Sequence, residues 1–360
     1  MVSRVRVAVL GLGVGQEHLH AYRRLPELYD VVAVCDVDAA RAAAAAARWG
    51  VDRWCTDPVE LLAGAEGAID VVDVCTPPHL HVEHTTAALD AGCDVICEKP
   101  VARSLAELDE LHARAVDAGR LLMPVFQYRF GHGVQKLRAL VDAGLTGRAF
   151  TTTVEVSWRR GVDYYAVPWR GRWATELGGV LLSHGTHALD LLCYVLGRPA
   201  RVSARVATRV NPIEVDDCAV ALVEMEDGSL ASVSATLGSA VEISRHRFCF
   251  EHLVAESNTS PYRNAAEPWT FATADREWTT KVEDALARFA GGPQGYAGQL
   301  ARFHAARRRG EPLPVTIEDA RTSLELVSAV YRSAATGREV SLPIAPGDPG
   351  YDGWAPETRA

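Results

Sequence analysis

The sequence predicts an N-terminal α/β domain built on a doubly wound parallel sheet, followed by an α+β domain with an open, mostly antiparallel sheet. Short apolar runs alternate with helical segments over the first 126 residues. Beyond that point the runs lengthen and alternate with period two, the mark of strands with one covered face. The length, 360 residues, suits two domains at roughly 150 residues each. The expected divisions are 1–126, 127–344 and an irregular tail at 345–360, rich in Pro, Gly and Asp.

Val5–Leu10 (VRVAVL) reads as the first strand, and Gly11–Gly15 as the turn into a helix from about Gln16 to Leu25. Val31–Cys35 is the second strand. Ala39–Trp49 follows as a helix, alanine having the best helix propensity. Asp57-Pro58 reads as an N-cap with proline at the first helical position. Ile69–Cys75, Cys93–Cys97 and Leu121–Val125 are further strands, separated by helices at about 79–91 and 104–118. Ser104 with Glu107 three residues on has the capping-box pattern. Ligands of such sheets bind at the carboxyl ends of the strands. Gly11–Gly15, Asp36, Thr76–His79 and Glu98–Pro100 are therefore expected around one site.

In the second half, Thr151–Trp158, Val202–Val210, Ala219–Met225 and Leu230–Leu237 alternate as strands, with an Asp227-Gly228 hairpin signal between the last two. Helices are expected at about 178–196, 281–290, 295–309 and 318–335.

Composition narrows the function classes. Lys and Arg total 37 against 46 Asp and Glu, a formal net charge of −9, which argues against nucleic-acid or anionic-membrane surfaces. Eight cysteines form no C-x-x-C pair, so neither a metal site nor a disulfide framework is expected. No signal peptide precedes the first strand and no apolar run reads as a membrane span, so a cytoplasmic protein with reduced thiols is expected. Only three basic residues are lysines, Lys99, Lys136 and Lys281, which makes each position informative.

Gly11, Gly13, Val14 and Gly15 follow the first strand and open a helix, where a backbone without side chains can approach a pyrophosphate at the helix N-terminus. Gln16 stands where the third glycine of G-x-G-x-x-G usually falls. Asp36 ends the second strand, 23 residues after Gly13. A carboxylate there accepts from both ribose hydroxyls and repels a 2′-phosphate, so NAD is expected over NADP. Arg41, one helical turn on, is the nearest cation in sequence.

These motifs, with CTPPHLHVEH at 75–84, CEKPVA at 97–102, GGVLLSHGTHALDLL at 178–192 and the closing EPLPVTIEDARTSLELVSAVYRSAATGREVSLP, resemble the Gfo/Idh/MocA oxidoreductases, the glucose–fructose oxidoreductase and inositol dehydrogenase group. The resemblance runs from Val5 to about Pro343. It implies a Rossmann domain and a second domain for substrate binding and oligomerisation. Their strand-end positions put Thr76, Pro77, His79 and Glu98 beside the cofactor, and the resemblance puts Lys99 there. It makes Lys99, in Glu98-Lys99-Pro100, the lysine that touches the reacting hydroxyl, and His187 the general acid/base. Many relatives carry aspartate where this chain has Ser183, so a complete His–Asp–Lys relay is not carried over. Ser183, His184 and Tyr128 are further candidates for the pocket, and Asp190 either lines it or braces structure.

Between these motifs Trp158, Arg159, Arg160, Tyr164, Tyr165, Trp169, Arg170 and Trp173 form a dense aromatic and basic stretch. Aromatic faces pack on the CH faces of sugars and guanidinium groups donate to hydroxyls, so Arg159, Tyr165 and Trp169 join the substrate candidates. Trp169 and Trp173 also have the spacing of one helical face. The expected activity is an NAD-dependent dehydrogenation of a sugar, glycoside or cyclitol. The alternatives are a glycoside hydrolase that recycles its NAD through oxidation and elimination, and a non-catalytic dinucleotide sensor. The resemblance implies a homo-oligomer, dimer or tetramer, through the open sheet face, with Val202, Ala204, Val206 and Thr208 alternating suitably.

Overall fold

The computed structural model describes residues 4–63, 65 and 67–355. The chain divides into two compact units, Met1–Phe126 with Gly295–Ala320, and Gln127–Gln294 with Arg321–Ala360.

In the first unit six parallel strands, β1 (Val5–Leu10), β2 (Tyr29–Cys35), β3 (Arg53–Cys55), β4 (Val71–Val74), β5 (Asp94–Cys97) and β6 (Leu122–Pro124), lie in the order β3-β2-β1-β4-β5-β6. The order reverses between β1 and β4, which is where such sheets open a ligand crevice. Helices α1 (Gly15–Arg23), α2 (Ala39–Trp49), α3 (Pro58–Leu62), α4 (His81–Asp90) and α5 (Leu105–Asp117) connect the strands. The caps follow the chemistry of the sequence. Asp57 accepts from Val59 N, and Ser104 Oγ accepts from Glu107 N at 3.0 Å. The Glu107 carboxylate accepts from the backbone amide of Arg103, one residue before the cap. β3 escapes a pattern reading because three residues, RWC, carry no periodicity.

The expected second domain, 127–344, is interrupted. Residues 295–320, which include the later helix Gly295–Arg309, belong with the first unit. The tie is polar as well as apolar: Tyr29 Oη donates to Leu300 O at 2.7 Å, Gln299 Nε2 to Pro124 O at 2.6 Å, and Arg307 pairs with Asp94 at 2.7 Å.

The second unit carries α6 (His132–Asp142), β7 (Ala149–Arg159), α7 (Val162–Tyr165), α8 (Trp173–Glu176), α9 (Thr186–Leu196), β8 (Pro199–Ala207), β9 (Cys218–Met225), β10 (Leu230–Thr236), β11 (Gly238–Phe250), β12 (Leu253–Glu256), β13 (Thr270–Thr273) and α10 (Arg276–Ala287). Past α11 (Gly295–Arg309), α12 (Ile317–Thr336) and β14 (Val340–Ser341) complete it. The eight strands run β13-β12-β11-β7-β10-β9-β8-β14, antiparallel except for the β10–β7 pair. One face is buried, with Val154, Val156, Ala221, Val223, Val233 and Phe248 pointing into it.

The other face exposes Val220, Leu222 and Leu230. Val202 and Ala204, expected on this open face, point instead into the covered one, where Ser333 Oγ of α12 accepts from Ala204 N. Val206 is half-buried, and Thr208 lies past the end of β8 and donates to Val215 O. A one-residue error of phase exchanges the two faces of a strand.

The tail from 345 to 355 is irregular in backbone but anchored, with Trp354 buried and its indole donating to Leu177 O at 2.7 Å; residues 356–360 lie outside the described residues. Trp173–Leu196 is long and apolar enough to cross a membrane by composition alone, a match the sequence reading missed, and 83% of its most apolar window is buried inside the fold.

Candidate active site

In the first unit the expected strand-end residues gather. Gly11 has φ +92°, and a Cβ on it would stand 2.6 Å from Cys75 C and O, so glycine alone fits where the β1 turn meets β4. A Cβ on Gly13 would meet nothing within 4 Å, which leaves its backbone open to a ligand. Gly15 opens α1 against Val9, with 3.1 Å between a built Cβ and Val9 Cγ1. Gln16 Oε1 accepts from the Trp49 indole. Val14 is exposed at the turn. Glycine turn, helix N-terminus and Asp36 fit a dinucleotide.

Asp36 is buried and accepts from Leu12 N at 2.8 Å and Asp38 N at 2.9 Å. Arg41 Nη1 reaches it at 2.9 Å, so its charge has a matched, half-exposed cation. Asp38 caps α2, receiving Ala40 N and Arg41 N, which leaves Asp36 clear of that role.

Thr76 and Pro77 follow β4, and His79 sits half-buried in the short turn Pro78–Leu80. His81 joins the β4 and β5 ends: Nε2 lies 2.7 Å from Thr76 O and Nδ1 2.7 Å from Pro100 O. The Lys99–Pro100 peptide is cis. The Glu98 carboxylate turns inward. It accepts from Lys99 N at 3.0 Å and joins a buried cluster with His18, Asp73 and Tyr296. His18, Asp73 and Cys75 place three donor atoms within 4.8 Å of one another. Asp73 already accepts from His18, Tyr22 and the Cys75 thiol, and burial pushes that thiol's pKa up, so the trio is a hydrogen-bonded core rather than a cation site.

In the second unit the motif GGVLLSHGTHALD folds as a π turn, Leu181–Gly185, running into α9. A π turn inside a helix re-aims the side chains around it. Its start requires the two glycines: a Cβ on Gly179 would stand 1.7 Å from Asp216 O, and one on Gly178 2.7 Å from Tyr331 Oη. Asp216 accepts from Gly179 N at 2.9 Å, Leu181 N at 3.3 Å and Tyr331 Oη at 2.5 Å. Burial raises its pKa against those donors. Leu177 just before is left-handed, φ +69°, a strained state for a branched side chain.

Ser183, His187 and Asp190 turn to three different partners. Ser183 Oγ donates to Glu176 Oε1 at 2.7 Å, so a buried carboxylate stands beside the serine that replaces the common aspartate. His187 is 8% exposed and stacks on Tyr128, ring centroids 4.4 Å apart and planes 11° apart. Asp190 is fully buried and forms a two-pronged pair with Arg129, Nη2 to Oδ1 at 2.6 Å and Nε to Oδ2 at 2.9 Å, with Ser323 Oγ donating at 3.2 Å. Asp190 is a brace. His246 of β11 adds another, with Nε2 donating to Ala188 O at 3.0 Å while Nδ1 accepts from Asn264.

The aromatic stretch clusters around the π turn. His184 is buried edge-on to Trp158 at 5.0 Å and near Tyr164 at 5.6 Å. Arg160 lies over Trp158 and Tyr164 and pairs with Glu242 at 2.9 Å; Arg170 lies over Tyr164 and Trp169 with Glu176 at 3.5 Å. Tyr165 packs edge-on against Tyr164. Arg159 ends β7, exposed, its backbone amide donating to Glu242. Trp169 lies in the turn before α8, while Trp173 leaves the cluster, packing on Tyr331 and donating to Glu214 O. Glu176, Asp216, His246 and Tyr262 were missed by sequence reasoning. Only the fold brings Tyr262, 104 residues away, onto Trp158.

Residues 5–126 match the oxidoreductase family with NAD-binding Rossmann fold, Gfo/Idh/MocA, and residues 134–250 match the Gfo/Idh/MocA C-terminal domain. The chain is 28% identical to D-glucoside 3-dehydrogenase of Escherichia coli K12, over 94% of this chain and 98% of that protein. It is 27% identical to D-xylose 1-dehydrogenase (NADP(+)) 2 of Haloferax volcanii, over 87% and 92%. The structure of WlbA dehydrogenase from Chromobacterium violaceum, solved with NADH and UDP-GlcNAcA, superposes with TM-score 0.83 at 28% identity, covering 96% of this chain and 98% of that one. With its glycine turn, its Glu98-Lys99-Pro100 motif and its two matched domains, the chain belongs to the Gfo/Idh/MocA family of NAD(P)-dependent oxidoreductases.

Proposed function

We propose that the protein is an NAD-dependent dehydrogenase that acts on a secondary hydroxyl of a sugar, glycoside or cyclitol. The observation that carries this reading is the setting of His187, a buried imidazole stacked on Tyr128, with an aromatic wall of Trp158, Tyr164 and Tyr262 in the same unit. D-glucoside 3-dehydrogenase, matched along nearly its whole length, supports a glycoside.

In this reading His187 accepts the proton of the reacting hydroxyl. An imidazole, with an ordinary pKa of about 6.5, suits that task near neutral pH. Parallel stacking on Tyr128 holds its plane. The Lys99 ammonium stabilises negative charge as it develops on the same oxygen. Bound NAD supplies the hydride acceptor. Trp169, half-buried, offers a face to the CH side of a ring, and Trp158 and Tyr164 back the wall behind it. Arg160 and Arg170, whose charges Glu242 and Glu176 match, suit an uncharged polyol better than a carboxylate or phosphate. Asp36 directs the choice toward NAD, and the Arg41 ion pair moderates its repulsion of a 2′-phosphate.

The test is NADH formation from NAD across free hexoses, alkyl glycosides, amino sugars, inositols, uronates and nucleotide sugars. A signal confined to neutral rings supports the reading. Turnover confined to uronates or nucleotide sugars overturns the neutral-ring part of it.

A further inference from the structure

The polar core of the first unit contains a relay of contacts that ends on Lys99. His18, on α1, is fully buried. Its Nδ1 lies 2.8 Å from Asp73 Oδ2 on β4, and its Nε2 lies 3.1 Å from Glu98 Oε1 at the end of β5. Both partners are carboxylates, and a neutral imidazole has one N–H, so only the imidazolium donates to both. Burial is the largest single influence and opposes that charge, but the charges and hydrogen bonds of Asp73 and Cys75 together outweigh it and hold the His18 pKa well above its usual value.

Every group around the ring joins in. Tyr22 of the same helix donates to Asp73 at 2.8 Å, the Cys75 thiol reaches Asp73 at 3.5 Å, and Tyr296 of α11 donates to Glu98 Oε1 at 3.1 Å while its ring packs 4.4 Å from that of His18. Glu98 is thus held on one oxygen by His18 and Tyr296. Its other oxygen accepts the backbone amide of Lys99 at 3.0 Å. The carboxylate spans from the helix that carries the glycine turn to the first peptide of the lysine turn.

We propose that His18 is a positioning residue for Lys99, acting through Glu98: by fixing that carboxylate it fixes the backbone from which the lysine side chain projects. The value of this for turnover rests on the dehydrogenase reading, in which Lys99 stabilises the reacting oxygen. The placement of Lys99 itself does not.

Two substitutions separate positioning from bulk stability. His18→Gln presents an amide N–H near the Nε2 position, toward Glu98, and His18→Asn presents one near the Nδ1 position, toward Asp73. With the three lysines dimethylated by ¹³C-formaldehyde, Lys99 gives its own NMR signal, identified by its loss in Lys99→Met. In folded His18→Asn the Lys99 signal should move, with its titration midpoint displaced by about half a pH unit or more. Lys136 and Lys281 should stay in place, and His18→Gln should restore most of the wild-type position. On a substrate that is turned over, kcat should fall about 10- to 100-fold in His18→Asn with the NAD KM within about threefold, and His18→Gln should recover to within about fivefold.

Should His18→Asn not fold, Tyr296→Phe removes one donor to Glu98 at near-constant volume and should move the Lys99 signal the same way by less. An unmoved Lys99 signal in the folded variant, or equal effects of Asn and Gln, overturns the proposal. A Lys99→Met enzyme of near-normal kcat would instead strike the catalytic reading, and the NMR result would still decide whether His18 positions Lys99.

Discussion

Tyr128 lies flat against His187, and the next residue, Arg129, grips Asp190 three positions further along α9. The short turn Gln127–Phe130 therefore holds the helix at two points, by a ring and by an ion pair. The ring should matter more than its hydroxyl. Tyr128→Phe should keep kcat within about threefold and Tyr128→Leu should lower it about tenfold, since only Phe retains the stack. Steady-state kinetics on both variants checks this.

The Arg129–Asp190 pair makes a separate prediction about stability. Both side chains are buried, at 5% and 0% exposure, so removing one partner strands the other's charge. Asp190→Ala should cost about 3–5 kcal/mol. Denaturant unfolding should show a lower midpoint with an unchanged slope.

Coenzyme choice turns on Asp36 and Arg41. Asp36→Ser leaves Arg41 paired with Asp38 alone, 3.3 Å away, and removes the charge that repels a 2′-phosphate, so the NADP-to-NAD ratio of kcat/KM should rise about 10- to 100-fold. Arg41→Ala should lower NADP use and leave NAD use within about threefold. Equal use of both coenzymes by the wild type would contradict the assignment.

His246 supplies a pH prediction. Burial pushes its pKa down to about 4, against the hydrogen bond to Ala188 O that raises it. The folded state keeps the ring neutral while the unfolded chain takes up a proton near pH 6.5. Stability is therefore full above that value and is lost as pH falls toward 4, by an amount on the order of 3 kcal/mol. His246→Gln keeps a donor for Ala188 O and has nothing to titrate. Its Tm should fall less steeply between pH 6.5 and 4 than that of the wild type.

Apart from β3, the strands and helices of the first unit were legible because each buried strand is an apolar run closed by a turn residue, as VRVAVL closes on Gly11. The glycine turn and the capping role of Asp57 were legible for the same reason, local chemistry at fixed spacing. The sheet partner β11 was not, because GSAVEISRHRFCF mixes Arg and His into its alternation and fold context alone buries His246. The division of the chain was blurred by α11, whose attachment to β2 and β6 depends on Tyr29 and Gln299 reaching across the sequence. In the second-unit site, His187 could be named from its motif. Glu176 beside Ser183 could not, since no spacing rule links them through a π turn.

Lys99 and His187, in the proposed function, together carry a dehydrogenation of a neutral ring with NAD. The most direct measurement is the rate of NADH formation on the best substrate of the panel, for the wild type, Lys99→Met and His187→Ala, each shown to be folded and to bind NADH. Both variants should lose about three orders of magnitude or more in kcat while NADH affinity stays within about threefold. Near-normal turnover in either folded variant would contradict it.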